Sequence, residues 1–188
     1  MIDLCNYRTM IVGPRLTLRT LEPSDASLEY AAWLNDPVVN QYLETRQATI
    51  EDLQKYIQAK LESSNTLFFG IFWIENNRHI GNVKLEPIDF DKGVATMGIL
   101  IGDKEYWGRG VATEVTNLIV DFAFSTLGLA EVNLGVLSEN KAAIRVYEKC
   151  GFVVDRIDSK SMNHGGVLYD QVYMRKIRSM KSEIRNNT

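Results

Sequence analysis

The stretch Met97–Thr113, MGILIGDKEYWGRGVAT, restricts what this chain can become more than any other. Met97-Gly98-Ile99-Leu100-Ile101 is a short apolar run that predicts a buried strand. Trp107-Gly108-Arg109-Gly110-Val111-Ala112-Thr113 then sets a small residue at alternate positions before an amphipathic helix begins. Strand, glycine turn and helix together gather unpaired backbone N–H groups at the positive end of a helix dipole, where they suit a phosphate. Glycine lets that backbone approach an anion in conformations a Cβ forbids. An ordinary tight turn is the plainer alternative.

Two phosphate patterns are absent. No Gly-x-x-x-x-Gly-Lys-Ser/Thr occurs, and the Gly-x-Gly-x-x-Gly fingerprint fails because Thr113 stands at its last position. A second segment follows further on: Asn140, Ala143, Tyr147, Gly151 and Phe152 fit Asn-x-x-Ala-x-x-x-Tyr-x-x-x-Gly-Phe. In this order, with a helix and a strand between them, the two segments resemble the motifs of the GCN5-related N-acetyltransferases (GNAT family). The family's pyrophosphate loop has the form Gln/Arg-x-x-Gly-x-Gly/Ala, with Trp107 here in place of the usual Gln or Arg. The resemblance covers about residues 14–176. It is greatest to the branch with ribosomal-protein N-terminal and amino-sugar acetyltransferases.

At 188 residues the chain is expected to form one domain over 1–188, with a core at about 14–176 and a frayed tail at 177–188. A formal charge of −3 argues against nucleic acid as the main partner. Cys5 and Cys150 are too few for a disulfide framework, and neither histidine, His79 or His164, stands at metal-ligand spacing from a cysteine. No metal is therefore expected. Neither a membrane span nor a signal-peptide pattern is present, which points to the cytoplasm, as a monomer or homodimer.

Along the chain, Arg15–Arg19 alternates as a first strand, after a lead-in without pattern. Pro23 suits the first position of a helix reaching Asn35, which Asp36-Pro37 ends. Thr49 and Asp52 open a second helix to about Glu62. Strands are expected at 67–74, 79–85 and 94–101, a helix after Gly110 capped by Gly128, and a strand at 131–136. A helix over 140–149 and strands at 152–158 and 168–174 follow, the last two joined by Asn163-His164-Gly165-Gly166. The fold class is α/β (α+β). The resemblance implies the GNAT fold: a mixed, mostly antiparallel sheet of six to seven strands, a central splayed parallel pair, and about four helices.

The resemblance implies acetyl-CoA as cofactor. Its pantetheine would lie along Gly98, Ile99, Leu100 and Ile101, pairing with strand backbone as a peptide does. The pyrophosphate would lie over Trp107, Gly108, Arg109, Gly110, Val111, Ala112 and Thr113. Asn140, Ala143, Arg145 and Tyr147 complete the cofactor set, Asn140 also suiting a helix cap. Tyr147 is the candidate acid, because a phenol of ordinary pKa about 10 is protonated at neutral pH and can donate to a leaving thiolate. A packed core tyrosine is its bland alternative. Many relatives carry a glutamate where this chain has Thr96, so a carboxylate base is in doubt there. Glu86 is the substitute candidate, with Glu44 and Asp170 behind it, and a water chain is an equal account. Acceptor recognition is expected from Tyr42, Glu44, Arg46 and Thr96, with Arg46 suited to a phosphate or carboxylate. Trp33 reads as core.

The expected reaction is direct transfer in a ternary complex to a small-molecule or peptide amine. An amino sugar on a nucleotide is slightly favoured over a protein N-terminus. The rival from another class is a non-catalytic acyl-CoA-binding regulatory module.

Overall fold

The computed structural model describes residues 4–7, 10–43, 47–164 and 167–179. Strands β1 (Met10–Val12), β2 (Leu16–Thr20), β3 (Leu67–Trp73), β4 (Arg78–Asp89), β5 (Val94–Ile101), β6 (Glu131–Leu137), β7 (Val153–His164) and β8 (Val167–Ile177) form one sheet. Its order is β1-β2-β3-β4-β5-β6-β8-β7. Every neighbouring pair is antiparallel except β5 and β6. The helices are α1 (Leu28–Asn35), α2 (Ile50–Glu62), α3 (Val111–Ser125) and α4 (Lys141–Lys149). The mostly antiparallel sheet with one parallel pair is the expected fold.

The eighth strand is β1, which lies in the part of the sequence read as an unpatterned lead-in. Three residues are too few to show alternation, and the strand exists by pairing Met10, Ile11 and Val12 with Arg19, Leu18 and Thr17. The first helix also begins later than Pro23. The Asp25 carboxylate accepts from the Glu22 N–H at 2.7 Å and from Arg19, closing a single 3-10 turn over Pro23–Asp25. Ser27 then caps α1 by accepting from the Tyr30 N–H at 3.1 Å. Asn163 and His164 belong to β7 rather than to a loop, while Gly165 and Gly166 lie outside the described residues. Most of the tail expected to fray, from residue 180 on, lies outside them too.

The sheet is covered on both faces at β3, so LFFGIFW reads as a continuous apolar run. Phe69, Ile71, Val83, Leu85 and Met97 meet α3 through Val115, Ile119 and Phe122. On the other face Phe68, Phe72 and Leu100 meet α1 and α2 through Tyr30, Trp33, Leu53 and Ile57. Trp33 is thus core, as its apolar setting predicts. Period-two alternation has a direct consequence for function. Asn82, Lys84, Thr96, Gly98 and Leu100 all face the α1–α2 side and line one cavity of about 1150 Å³.

Candidate active site

The parallel pair holds together over three rungs only: Val94 with Glu131, Ala95 with Val132, and Thr96 with Asn133. Beyond Thr96 the two strands separate. Met97–Ile101 stays paired with β4, and Leu134–Leu137 stays paired with β8. The β6-facing edge of β5 therefore keeps backbone N–H and C=O groups without a ladder partner. The cavity opens at this parting and is walled by Gly98, Ile99 and Leu100 on one side and Asn133–Leu137 on the other. Thr96 closes it by donating from Oγ1 to the Asn133 Oδ1 at 2.7 Å.

At the end of β5 the chain makes the glycine turn. Gly108 and Gly110 have φ of 71° and 77°, in the left-handed region that favours glycine, and Gly108 faces open space. Gly110 is the N-cap of α3, and no side chain caps that end. The first N–H groups of α3 are thus open donors at the positive end of the helix. Arg15 fastens the turn from β2's side: its Nη1 donates to the Arg109 carbonyl at 2.9 Å, and its Nε pairs with Glu114 at 2.7 Å. Trp107 Nε1 donates to the Ile101 carbonyl at 2.8 Å, tying the loop to the strand it leaves. An unpaired strand edge leading to uncapped amides fits the two amides and the pyrophosphate of acetyl-CoA.

The second sequence segment arrives on the same cavity. Asn140 caps α4 by accepting from the Ala143 N–H at 3.1 Å, and both Asn140 and Tyr147 line the wall. Burial pushes the Tyr147 phenol up to about 12, with the neighbouring Cys150 thiol adding to the rise.

A family model for the acetyltransferase (GNAT) domain matches residues 15–153. Over 169 residues the chain is 33% identical to the probable N-acetyltransferase YjcK of Bacillus subtilis, covering 86% of this chain and 93% of that one. The chain belongs to the GNAT family. It is an acetyl-CoA-dependent N-acetyltransferase. Among solved structures, spermidine N-acetyltransferase from Vibrio cholerae, in complex with CoA and spermine, matches with a TM-score of 0.80 and 26% identity, over 88% of this chain and 96% of that one. The ribosomal L7/L12 N-acetyltransferase RimL shares the fold, with a TM-score of 0.82 at 17% identity over 90% and 97% of the two chains.

The side of this cavity away from the β5 edge is built from residues far apart in sequence. The pairing of β4 with β5 slips between Leu85 and Ile88, so Glu86 and Pro87 together oppose Thr96. Alternation from Asn82 and Lys84 already puts Glu86 on the cavity face, and the bulge after it returns Ile88 to the same core as Leu85. Its carboxylate is held by Lys60 on α2 and by Lys84, whose Nζ donates to Oε2 at 2.6 Å, while Thr66 Oγ1 donates to Oε1 at 3.2 Å. Burial alone would raise the Glu86 carboxyl, but the hydrogen bonds and charges of the two lysines outweigh it and hold it below the usual range. Glu86 is a neutralised counter-ion, ill-suited to accept a proton.

Of the other sequence candidates, Tyr42 lines the cavity half-exposed, and Thr96 lies at its apex. Glu44 and Arg46 lie outside the described residues. The cavity wall does not include Ile101, Arg145 or the turn Trp107–Thr113, and Arg145 is exposed on α4. Asp170 is on β8, accepting from the Lys160 N–H at 2.9 Å, away from the cavity wall. Sequence reading passed over Asn82, Lys84, Lys60, Tyr56 and Asn133, all on the wall. One signal was available: Pro87 inside a strand pattern marks an edge or a bulge, and here it marks the bulge opposite Thr96. Among the described residues no group of His, Cys, Asp and Glu is placed to hold a metal ion, and no helix is long and apolar enough to cross a membrane.

Proposed function

We propose that this chain, as a single domain acting in the cytoplasm, acetylates the primary amine of a small molecule by direct transfer within a ternary complex. An amino sugar carried on a nucleotide is one acceptor of suitable size. The parting of β5 and β6 at Thr96 carries the reading, because it joins the cofactor edge to the α1–α2 side through one continuous cavity.

Acetyl-CoA supplies the acetyl group as a thioester and a thiolate as leaving group. Met97–Leu100 orients it through backbone, and the amides from Gly108 to Thr113 hold its pyrophosphate. Tyr147, protonated at neutral pH, donates a proton or hydrogen bond toward the departing sulfur. The amine attacks the thioester carbon as the carbon–sulfur bond breaks, and its surplus proton leaves through water rather than to Glu86. Cys150 plays no covalent part: burial raises its thiol, and its Sγ faces the Thr113 carbonyl at 3.7 Å.

Thiol release from acetyl-CoA with a panel of amines is the test. Release with small amines is expected. Release only with peptides bearing a free N-terminus would move the acceptor to a protein. No release with any amine would make the chain an acyl-CoA-binding module.

A further inference from the structure

Asn82 lies on β4, facing the cavity between α1 and the sheet, and is 4% exposed. Among the described residues its Nδ2 has no hydrogen-bond partner. Leaving a buried amide donor unpaired is unfavourable, so the atom needs a reason to be there. The orientation is fixed from behind. His79 Nε2 lies 2.9 Å from both the Gly81 carbonyl and the Asn82 Oδ1. A carbonyl can only accept, so Nε2 carries the hydrogen, and the Asn82 atom facing it must be the oxygen. The NH2 is thereby turned away from His79. The imidazole is itself locked in an aromatic box, stacked on Phe72 at 4.9 Å and edge-on to Trp33 and Tyr30. Burial lowers its pKa against the opposing hydrogen bonds to Asn82 and Gly81, so it stays neutral and the tautomer holds.

Two residues further along the same strand face stands Lys84, about 7 Å from Asn82 at the backbone. Gly98 opposite leaves room for its stem: a Cβ there would come within 3.3 Å of the Lys84 Cε. Lys84 spends donors on Glu86 and on the Tyr56 hydroxyl at 3.3 Å, and an ammonium has three. Lys60 and Lys84 share the single carboxylate of Glu86, so this corner carries one surplus positive charge with side chains only 19% and 33% exposed. Among the described residues the corner thus presents donors and a net cation, since Glu86 is taken up by the two lysines and Asp52, on the same wall, accepts from Thr49 at the start of α2.

We infer that Asn82 and Lys84 seat an oxyanion of the acceptor, so that the amine acetylated at Thr96 belongs to a molecule that also carries a carboxylate or phosphate. This rests on the proposed small-amine reaction. It runs against a polyamine acceptor, whose second and third ammonium groups would meet Lys84 and Lys60. Thr96 lies two residues along β5 from Gly98, the partner of Lys84, so amine and oxyanion stand about 7 Å apart or somewhat more.

The experiment compares matched acceptors by thiol release: 4-aminobutyrate against butylamine, O-phosphoethanolamine against ethanolamine, and spermidine as the polycation. The expected result is that the anionic member of at least one pair exceeds its neutral partner in kcat/KM by about tenfold or more, which is 1.4 kcal/mol. The pair that shows it distinguishes carboxylate from phosphate. In Lys84→Met and in Asn82→Ala that ratio should fall severalfold, while Lys84→Arg keeps most of it. A ratio that survives in both variants places the oxyanion elsewhere and overturns the inference. So does equal or better turnover by the native protein of both butylamine and ethanolamine than of their anionic partners, or of spermidine than of either anion, which would leave the acetyltransferase reading standing. Absence of turnover with every amine overturns both.

Discussion

The two sides of the cavity are made in different ways. The side proposed for the cofactor is backbone: an unpaired strand edge, two left-handed glycines and the uncapped start of α3. The side proposed for the acceptor is side chain: Glu86 beside a bulge, Lys60 from α2, Lys84 and Asn82 from β4, Tyr42 from the segment after α1. Backbone binding needs particular residues at fixed spacing, because only glycine tolerates the conformation and only a local turn collects the amides. Side-chain binding needs a charge or a donor at a place, and many sequences deliver one there. The first can be shared widely among proteins with different acceptors, while the second is free to change with the acceptor.

The comparison breaks first at Tyr147, the proposed acid for the departing sulfur. Tyr147→Phe should lower kcat by about a hundredfold, the low end for a general acid, because a thiolate is already a fair leaving group. Acetyl-CoA affinity should hardly move. Turnover within about twofold of native, with chemistry rate-limiting, would reduce Tyr147 to packing against Phe152, 5.9 Å away between ring centres. Next, Gly110→Val should weaken acetyl-CoA binding by about tenfold or more, since a β-branched residue is strained at a φ of 77°. Calorimetry on a variant shown to be folded reads this, and unchanged affinity would mean the turn holds no phosphate.

On the acceptor side the effects should be smaller. Glu86→Gln should reduce kcat/KM by less than about tenfold, because a carboxylate already held low by two lysines is not the base. The sign of its titration supports this. Glu86 is ionised throughout the neutral range, and its contribution to stability, present above the ordinary carboxylate range, is lost only as pH falls through its depressed value. kcat/KM should instead rise with pH up to the pKa of the acceptor amine, and the limb should shift when an acceptor of different amine pKa is used. A fixed limb near neutrality that vanishes in Glu86→Gln would make Glu86 the base after all. Smallest of all, Arg15→Ala should weaken acetyl-CoA binding by less than about fivefold: its pair with Glu114 is 43% exposed at the arginine and only braces the turn.

The same division explains what could be read from the sequence. Gly108, Gly110, Asn140 and Tyr147 stand in two local segments whose spacing is itself the signal, and the strand and helices around them follow from apolar periodicity. The corner of Lys60, Lys84, Glu86 and Asn82 has no such spacing, because Lys60 lies 26 residues before Glu86 and meets it only through tertiary packing. Asn82 is silent for a further reason: an asparagine in a strand is ordinary until its carbonyl is seen to be held by a half-buried histidine. Short β1 was missed because three residues carry no period, and the first helix began late because Asp25 formed its own turn with Glu22 and Arg19.

The three rungs between β5 and β6 have a mechanical meaning. To one side lie five strands, to the other three, and along the line between them the sheet is stitched for less than half the length of β5. Such a seam is where the two parts can rock against each other with few bonds disturbed, with α3 packed against it as a splint. A molecule laid into the open part of the seam, bonded to the free edge of β5, stiffens the joint. The same contacts that hold a substrate ready thus hold the protein rigid. Its melting temperature should therefore climb with acetyl-CoA concentration, and amides along β5 and β6 should exchange their hydrogens more slowly in the complex than in the free chain.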